Sequence, residues 1–224
     1  MNAKQAVCSG IVAAVLGFGP TVASADPYFA LFFGTGQIDL SQSDLNRVAA
    51  NRTAQLGGTA PTGRSDLDDM DKVWGVQIGY RFNRWVAAEV GYVDLGRANY
   101  VADLTSDFGT GPFDYQVRGR FISSGPTLAV VPTIPLGERF ELYGRAGIYF
   151  ADTRFRVRTE TPAELDSVEA KAGTQDLFGG LGFAWNINDS YALRVEGTYF
   201  LNVGDDDRTG ETDVAMIAIG LAFR

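Results

Sequence analysis

The chain has no histidine. That removes nucleophiles activated by an imidazole base and zinc sites built on histidine. Its one cysteine, Cys8, lies close to the N-terminus, so the rest of the chain can form neither a disulfide nor a thiolate metal site. Beyond residue 25 no apolar run is long enough for a membrane helix. Positive charge is also short: 19 Lys and Arg face 27 Asp and Glu, for a net charge of −8, the wrong sign for a nucleic-acid partner. GxSxG, P-loop and dinucleotide fingerprints are missing. The Gly-rich stretch Gly109–Phe113, GTGPF, has no strand-to-helix context and reads as a loop. No catalytic, cofactor-binding or metal site is expected.

The first 25 residues form a separate unit. Lys4 supplies a positive start, Ala6 to Phe18 is nearly all apolar, and Ala23-Ser24-Ala25 is a small-x-small cleavage site before Asp26. This is the pattern of a secretory signal peptide, cleaved at Ala23 and Ala25. Residues 26–224 are then expected to fold as one domain.

The strongest pattern is KVWGVQIGYRFNRWVAAEVGYVDLG, Lys72 to Gly96. Trp74, Val76, Ile78, Tyr80 and Phe82 alternate with Val73, Gly75, Gln77, Gly79 and Arg81. After a break at Asn83-Arg84, Val86, Ala88, Val90 and Tyr92 alternate with Ala87, Glu89 and Gly91. One face is apolar with aromatics at the strand ends; the other mixes glycine with charge. In water a sheet hides its apolar face in a core. Here small and ionic groups occupy one whole face, which suits a barrel with lipid outside and polar groups inside. With no membrane helix, a closed barrel is the remaining way to span a bilayer.

Eight strands are predicted, near 28–38, 72–82, 85–95, 115–131, 139–153, 175–186, 190–201 and 212–223. Short breaks at 83–84, 135–138 and 187–189 alternate with long polar stretches at 39–71, 96–114, 154–174 and 202–211, the turn-and-loop asymmetry of outer-membrane barrels. The fold class is therefore all-β, an eight-stranded antiparallel up-and-down transmembrane β-barrel. In the last strand Ala215, Ile217, Ile219, Leu221 and Phe223 face lipid, and Val214, Met216, Ala218, Gly220 and Ala222 fill the interior. The first long loop carries Leu45, Val48 and Ala49 at helical spacing behind Ser43 as a cap.

The signal peptide, Gly79–Gly96, IPLGERFELYGRAGIYF (Ile134–Phe150) and IAIGLAF (Ile217–Phe223) together resemble the OmpA-like eight-stranded barrels of Gram-negative bacteria. The resemblance covers nearly all of residues 26–224 and implies a cell outer-membrane location. The peptidoglycan-binding domain of full-length OmpA proteins has no counterpart here, so wall anchoring is not implied. The terminal aromatic that the barrel assembly machinery recognises in that family corresponds to the penultimate Phe223.

Strand parity places Gln77, Glu89, Arg145, Arg194 and Glu196 inside at similar depth. Charges in a narrow interior need partners, and two carboxylates with two guanidiniums neutralise one another, as in the polar network of the family resembled. The network reads as a plug, since eight-stranded barrels have filled interiors, or as a gate whose partners swap. Arg118, Arg120, Arg154, Arg156 and Arg158 have outward parity just above the apolar band. They are candidates for lipopolysaccharide contact, because the arginine fork matches phosphate. Trp74, Tyr80, Tyr92, Trp185 and Tyr199 have lipid parity, while Tyr143, Tyr149 and Trp85 count as inward. The acidic clusters Asp66–Asp71 and Asp205–Asp207 lack calcium-loop spacing and read as solvated loop charge.

These residues imply a monomeric outer-membrane barrel that stabilises the envelope and presents its loops. Its expected partners are outer-membrane lipid, lipopolysaccharide and the barrel assembly machinery. A small-solute pore and a soluble barrel holding an apolar ligand are the alternatives; an enzyme acting on lipid A would need a base other than histidine.

Overall fold

The computed structural model describes residues 26–55, 57–107, 109, 111–160, 165–205 and 208–224. The proposed signal peptide, with Ala23 and Ala25, and Asp206 and Asp207 of the second acidic cluster lie outside the described residues. The elements are β1 (Asp26–Ile38), α1 (Gln42–Gln55), β2 (Thr62–Asp68), β3 (Met70–Asn83), β4 (Val86–Asp107), β5 (Pro112–Leu136), β6 (Phe140–Glu160), β7 (Leu165–Asn186), β8 (Tyr191–Asp205) and β9 (Gly210–Phe223). Eight strands pair antiparallel in a ring, β1-β3-β4-β5-β6-β7-β8-β9, closed by β1 against β9 from Phe29↔Phe223 to Ile38↔Val214. β2 lies outside the ring and pairs with β4 alone. The expected eight-stranded barrel is present.

Its faces are inverted relative to a soluble barrel. Leu181 is 71% exposed and Ile217 66%, while Glu89 is 2% exposed. Aromatic pairs mark the edges of the apolar band: Trp74 with Tyr92 near one end, and Phe140 stacked on Phe183 and Tyr191 against Phe223 near the other. Those positions suit interfacial girdles. Trp85 is also exposed, contrary to its assigned parity. It sits in the β3–β4 turn, where Asn83 Oδ1 accepts from the amides of Trp85 and Val86 and strand alternation is lost.

The long polar stretches at 96–114 and 154–174 are mostly strand, not loop. β5 runs 25 residues and β6 21, against 13 for β1. About ten residues span the hydrocarbon, so β4 to β7 continue far beyond it as an extracellular wall, with β2 at one edge. Alternation persists there although lipid does not, because the wall has an inner face to cover. Tyr100, Ala102, Tyr115 and Val117 form that face and pack against Ala49 and Leu45 of α1. Tyr100 donates to Asn46 Oδ1 at 2.7 Å, and Tyr115 shares a 2.5 Å hydrogen bond with Thr53. The predicted helix exists, but Val48 is exposed. The helix begins one residue after Ser41, whose carbonyl accepts the Leu45 amide, and Ser43 lies inside the first turn.

One seam of the ring is incomplete. The Thr133 amide donates to Trp85 O, so odd-numbered amides of β5 face β4 and even-numbered ones face β6. Pro126 and Pro132 therefore remove two donors from the β5–β6 ladder. The ladder is interrupted there, between Ser124↔Asp152 and Thr127↔Tyr149 and between Val130↔Ala146 and Thr133↔Tyr143. The β6–β7 ladder runs without a gap from Phe140↔Trp185 to Glu160↔Leu165. The groups left unpaired are the Phe150 and Gly144 carbonyls of β6. The even-numbered amides that remain on β5 between 124 and 134, which face β6 across this interrupted ladder, should exchange with deuterium about tenfold faster than the odd-numbered ones that face β4, the effect of one lost hydrogen bond. Equal protection on both edges, measured by NMR in micelles, would refute this.

Candidate functional site

The lumen is filled in layers. Small inward residues decide where the large ones go. A Cβ on Gly79 would collide with the Tyr28 ring, and one on Gly182 with the Tyr143 ring. Both tyrosines lie across these glycines and reach the charged centre. The glycine alternation of β3 and β7 is thus part of the site.

The centre is a closed ionic network contributed by β3, β4, β6 and β8. Arg194 Nη1 donates to Glu89 Oε1 at 2.9 Å. Arg145 Nε lies 2.9 Å from Glu89 Oε2, an ion pair without hydrogen-bond alignment. Arg145 Nη1 donates to Glu196 Oε1 at 2.8 Å. The Tyr28 hydroxyl donates to Glu89 at 2.6 Å and that of Tyr143 to Glu196 at 3.0 Å. The Gln77 amide is satisfied with its oxygen toward Arg145, accepting at 2.9 and 3.0 Å. Arg194 also lies 4.2 Å from the Tyr143 ring centroid and Arg145 5.4 Å from that of Phe178. All five residues that parity placed inside meet here, and Glu89 is the hub because it touches both guanidiniums.

A second ionic layer, unrecognised in the sequence, closes the end of the lumen with the short turns. Arg81 grips Glu141 with two hydrogen bonds of 3.0 and 2.9 Å. Asn186 donates to the same carboxylate at 3.1 Å, and Arg224 approaches it at 3.4 Å. Arg81 and Glu141 share the inward parity, but they lie on strands that are not neighbours, so their meeting needs the closed ring. Between the two layers is a cavity of about 20 Å³ beside Tyr28, Tyr143 and Arg194, room for roughly one water molecule. Toward the outside, Phe32, Phe121, Tyr149, Phe178 and Phe200 form an apolar stopper over the network. Phe200 stacks on Phe178 and meets Tyr149 edge-on, both at 5.2 Å. Tyr143 and Tyr149 are inward, as expected.

The five outward arginines form a grid on the outer face of the wall. Arg118 is directly opposite Arg158 and Arg120 opposite Arg156; Arg154 is opposite Lys171 and Arg156 opposite Glu169. They do not share one height. Arg154 is two outward positions beyond Phe150, Arg158 four. At about 3.3 Å per residue and a tilt near 40°, those positions are roughly 10 Å and 20 Å above Phe150. Only Arg154 and Lys171 are just above the apolar band. Glu169 is held between Arg156 and Lys171, with Lys171 Nζ at 3.0 Å. Of the acidic clusters, Asp71 pairs with Arg97 at 3.1 Å. Among the described residues no group of acidic side chains is arranged to hold a metal. Phe223, the proposed assembly signal, lies between the rings of Phe29 and Tyr191.

Removing one member of a buried ion network strands its partners, at a cost of about 3–5 kcal/mol. Glu89→Ala leaves Arg194 without a carboxylate partner and should lower unfolding stability by about that amount in a urea titration read by gel mobility. Arg158→Ala, on the exposed wall, should change it by less than about 0.5 kcal/mol. Hydrogen bonds from Arg156 and then Lys171 hold the Glu169 carboxyl down to about 2 from an ordinary 4.5. A depressed carboxyl contributes above its unfolded value, so this contact is intact above pH 4.5 and is lost as pH falls through about 2. The Glu169 carboxyl carbon shift should titrate there; a midpoint near 4.5 would contradict the ion pair.

A family model described as the OmpA-like transmembrane domain matches residues 34–224. Outer membrane protein A of Salmonella typhi is 26% identical over 217 residues, 96% of this chain and 53% of that protein. Outer membrane protein A of Yersinia pseudotuberculosis is 26% identical over 220 residues, 96% of this chain and 54% of that protein. The chain thus spans about half the length of the curated relatives it matches. Among solved structures, the outer-membrane protein OprG of Pseudomonas aeruginosa aligns over 90% of this chain and 98% of its own, with a TM-score of 0.44 at 16% identity. The outer membrane protease OmpT of Escherichia coli aligns over 92% and 99%, with a TM-score of 0.49 at 9% identity. With a closed eight-stranded ring, an apolar outer face and a family match over most of its length, this chain belongs to the OmpA-like transmembrane domain family and is a protein of the cell outer membrane.

Proposed function

We propose that this chain is a non-catalytic, monomeric barrel that stabilises the outer membrane and meets its surroundings through the extracellular wall. The observation that carries the reading is the lumen: two ionic layers and an aromatic stopper stand in series across it. A pore would have to break the Arg81–Glu141 and Glu89–Arg145–Arg194–Glu196 contacts together and also displace the stacked rings. The interior carboxylates are also poorly suited to acid–base chemistry, since Glu89, Glu141 and Glu196 are each engaged by arginine. A soluble barrel with an apolar ligand would need the opposite placement of charge and apolar surface.

For the outer face the partner we propose is lipopolysaccharide. Arg118, Arg120, Arg154, Arg156 and Arg158 face away from the lumen on adjoining strands, and guanidinium forks suit phosphate. The barrel assembly machinery, reading Phe223, remains the proposed route of insertion.

In planar bilayers the purified chain should show no sustained single-channel steps, and it should run at a shifted apparent size on a gel until boiled. Sustained conductance would overturn the sealed-barrel reading. Reversing the lowest rung, Arg154→Glu with Lys171→Glu, should reduce co-purifying lipopolysaccharide by about a hundredfold or more, since two charge-assisted contacts, each worth at least about tenfold, become repulsive. Unchanged lipopolysaccharide in a folded variant would refute the contact.

A further inference from the structure

Two like-charge pairs stand directly across the β5–β6 ladder, Arg118↔Arg158 and Arg120↔Arg156. Like charges in directly opposed positions destabilise a sheet, and these two pairs are stacked, forming a two-by-two block of guanidiniums. The block is four cations on the surface of a chain of net charge −8. Arg156 is held by Glu169 through Nε and Nη2, while the contacts of Arg118 and Arg120 orient them without cancelling their charge. Arg118 Nε donates to Gln116 Oε1 at 2.6 Å and Arg120 Nε to Asn99 Oδ1 at 3.2 Å. Both partners are neutral amides, and both bonds use Nε, so the terminal nitrogens stay available. The described carboxylate on the block, Glu169, sits at its β7 side on Arg156 and is shared with Lys171. Neighbouring strands lie about 4.8 Å apart and successive outward residues about 6.6 Å apart, so one tetrahedral dianion at the centre can reach guanidiniums on both strands.

Height decides which anion. The block lies about 15–20 Å above the apolar band by strand rise and tilt. In the proposed lipopolysaccharide contact, phosphates attached at the acyl-bearing sugars fall at the lower height of Arg154 and Lys171. We propose that Arg118, Arg120, Arg156 and Arg158 form a cradle for a phosphate carried on the core sugars of a neighbouring lipopolysaccharide molecule, one tier above the lipid-anchored phosphates. This rests on the reading that the wall meets lipopolysaccharide, and it adds a second, separable contact. The bound dianion relieves the opposed pairs, so the ligand also stiffens the wall. The amides that orient Nε lower the ordering cost of binding.

The test uses the full chain in nanodiscs and measures affinity for lipopolysaccharide with a phosphorylated core, for the same glycolipid with its core dephosphorylated, and for a truncated glycolipid carrying only the lipid-anchored phosphates. The chain should prefer the phosphorylated core about tenfold, the value of one charge-assisted contact. Arg118→Gln with Arg158→Gln should abolish that preference and leave the truncated glycolipid bound as before. Arg154→Gln with Lys171→Gln should do the reverse, and heat-modifiability of both variants confirms that they fold. A core-phosphate preference that survives Arg118→Gln/Arg158→Gln, with the truncated glycolipid weakened by Arg154→Gln/Lys171→Gln, overturns the cradle alone. No response of any glycolipid to either variant overturns the lipopolysaccharide reading as a whole. Inorganic phosphate alone binding as tightly as the phosphorylated core would overturn the lipid source.

Discussion

Hydrocarbon offers the backbone no hydrogen-bond partners, so a strand can cross it only with both edges paired. The β1–β9 ladder is what meets that condition, and the rest of the molecule follows from it. Closing a ring with eight strands makes an interior narrow enough for side chains to fill. Charged residues on the inward face are then forced within reach of one another. Glu89, Arg145, Arg194 and Glu196 come from strands far apart in the chain, yet the ring makes them one another's ionic partners. Pro126 and Pro132 weaken the same constraint locally, and both fall on the β5–β6 seam.

The wall shows what happens to the same strands once lipid ends. Alternation continues without a break in β5 and β6, while the chemistry of each face changes. Along β6 the outward positions pass from Ile148 and Phe150 to Asp152, then to Arg154, Arg156 and Arg158. The inner face stays apolar because α1 covers it, with Leu67 of the edge strand β2 adding to the apolar cluster, so the wall has a small core of its own. One strand thus serves three environments: lipid, lumen and the exterior.

Interior and exterior arginines behave differently for a physical reason. Inside, Arg145 and Arg194 are matched by carboxylates, since unpaired charge there is costly. Outside, water tolerates Arg118 and Arg158 facing each other, so matching is not enforced and charge is available for a partner. The pattern fits a barrel that is inert within and interactive on its surface.

Much of this was readable along the chain. Period-two alternation and the short turns are local properties, so the eight strands of the ring, the inverted faces and the inward set Gln77, Glu89, Arg145, Arg194 and Glu196 follow from residue order alone, whereas β2, inside the polar stretch 39–71, does not. Composition alone set aside imidazole chemistry. Three features needed the folded molecule. The outer ends of β4 to β7 have the composition of loops, because outside lipid their outward residues are as polar as a loop's; only pairing with neighbouring strands reveals them as strand. The Arg81–Glu141–Arg224 layer depends on residues that no local pattern connects, brought together by ring closure. The opposed arginine pairs depend on register, and register between β5 and β6 is decided by how the two strands leave their turn and pack. Sequence determines which face a residue takes, since that is a property of one strand; tertiary structure decides whom it meets, since that is a property of two.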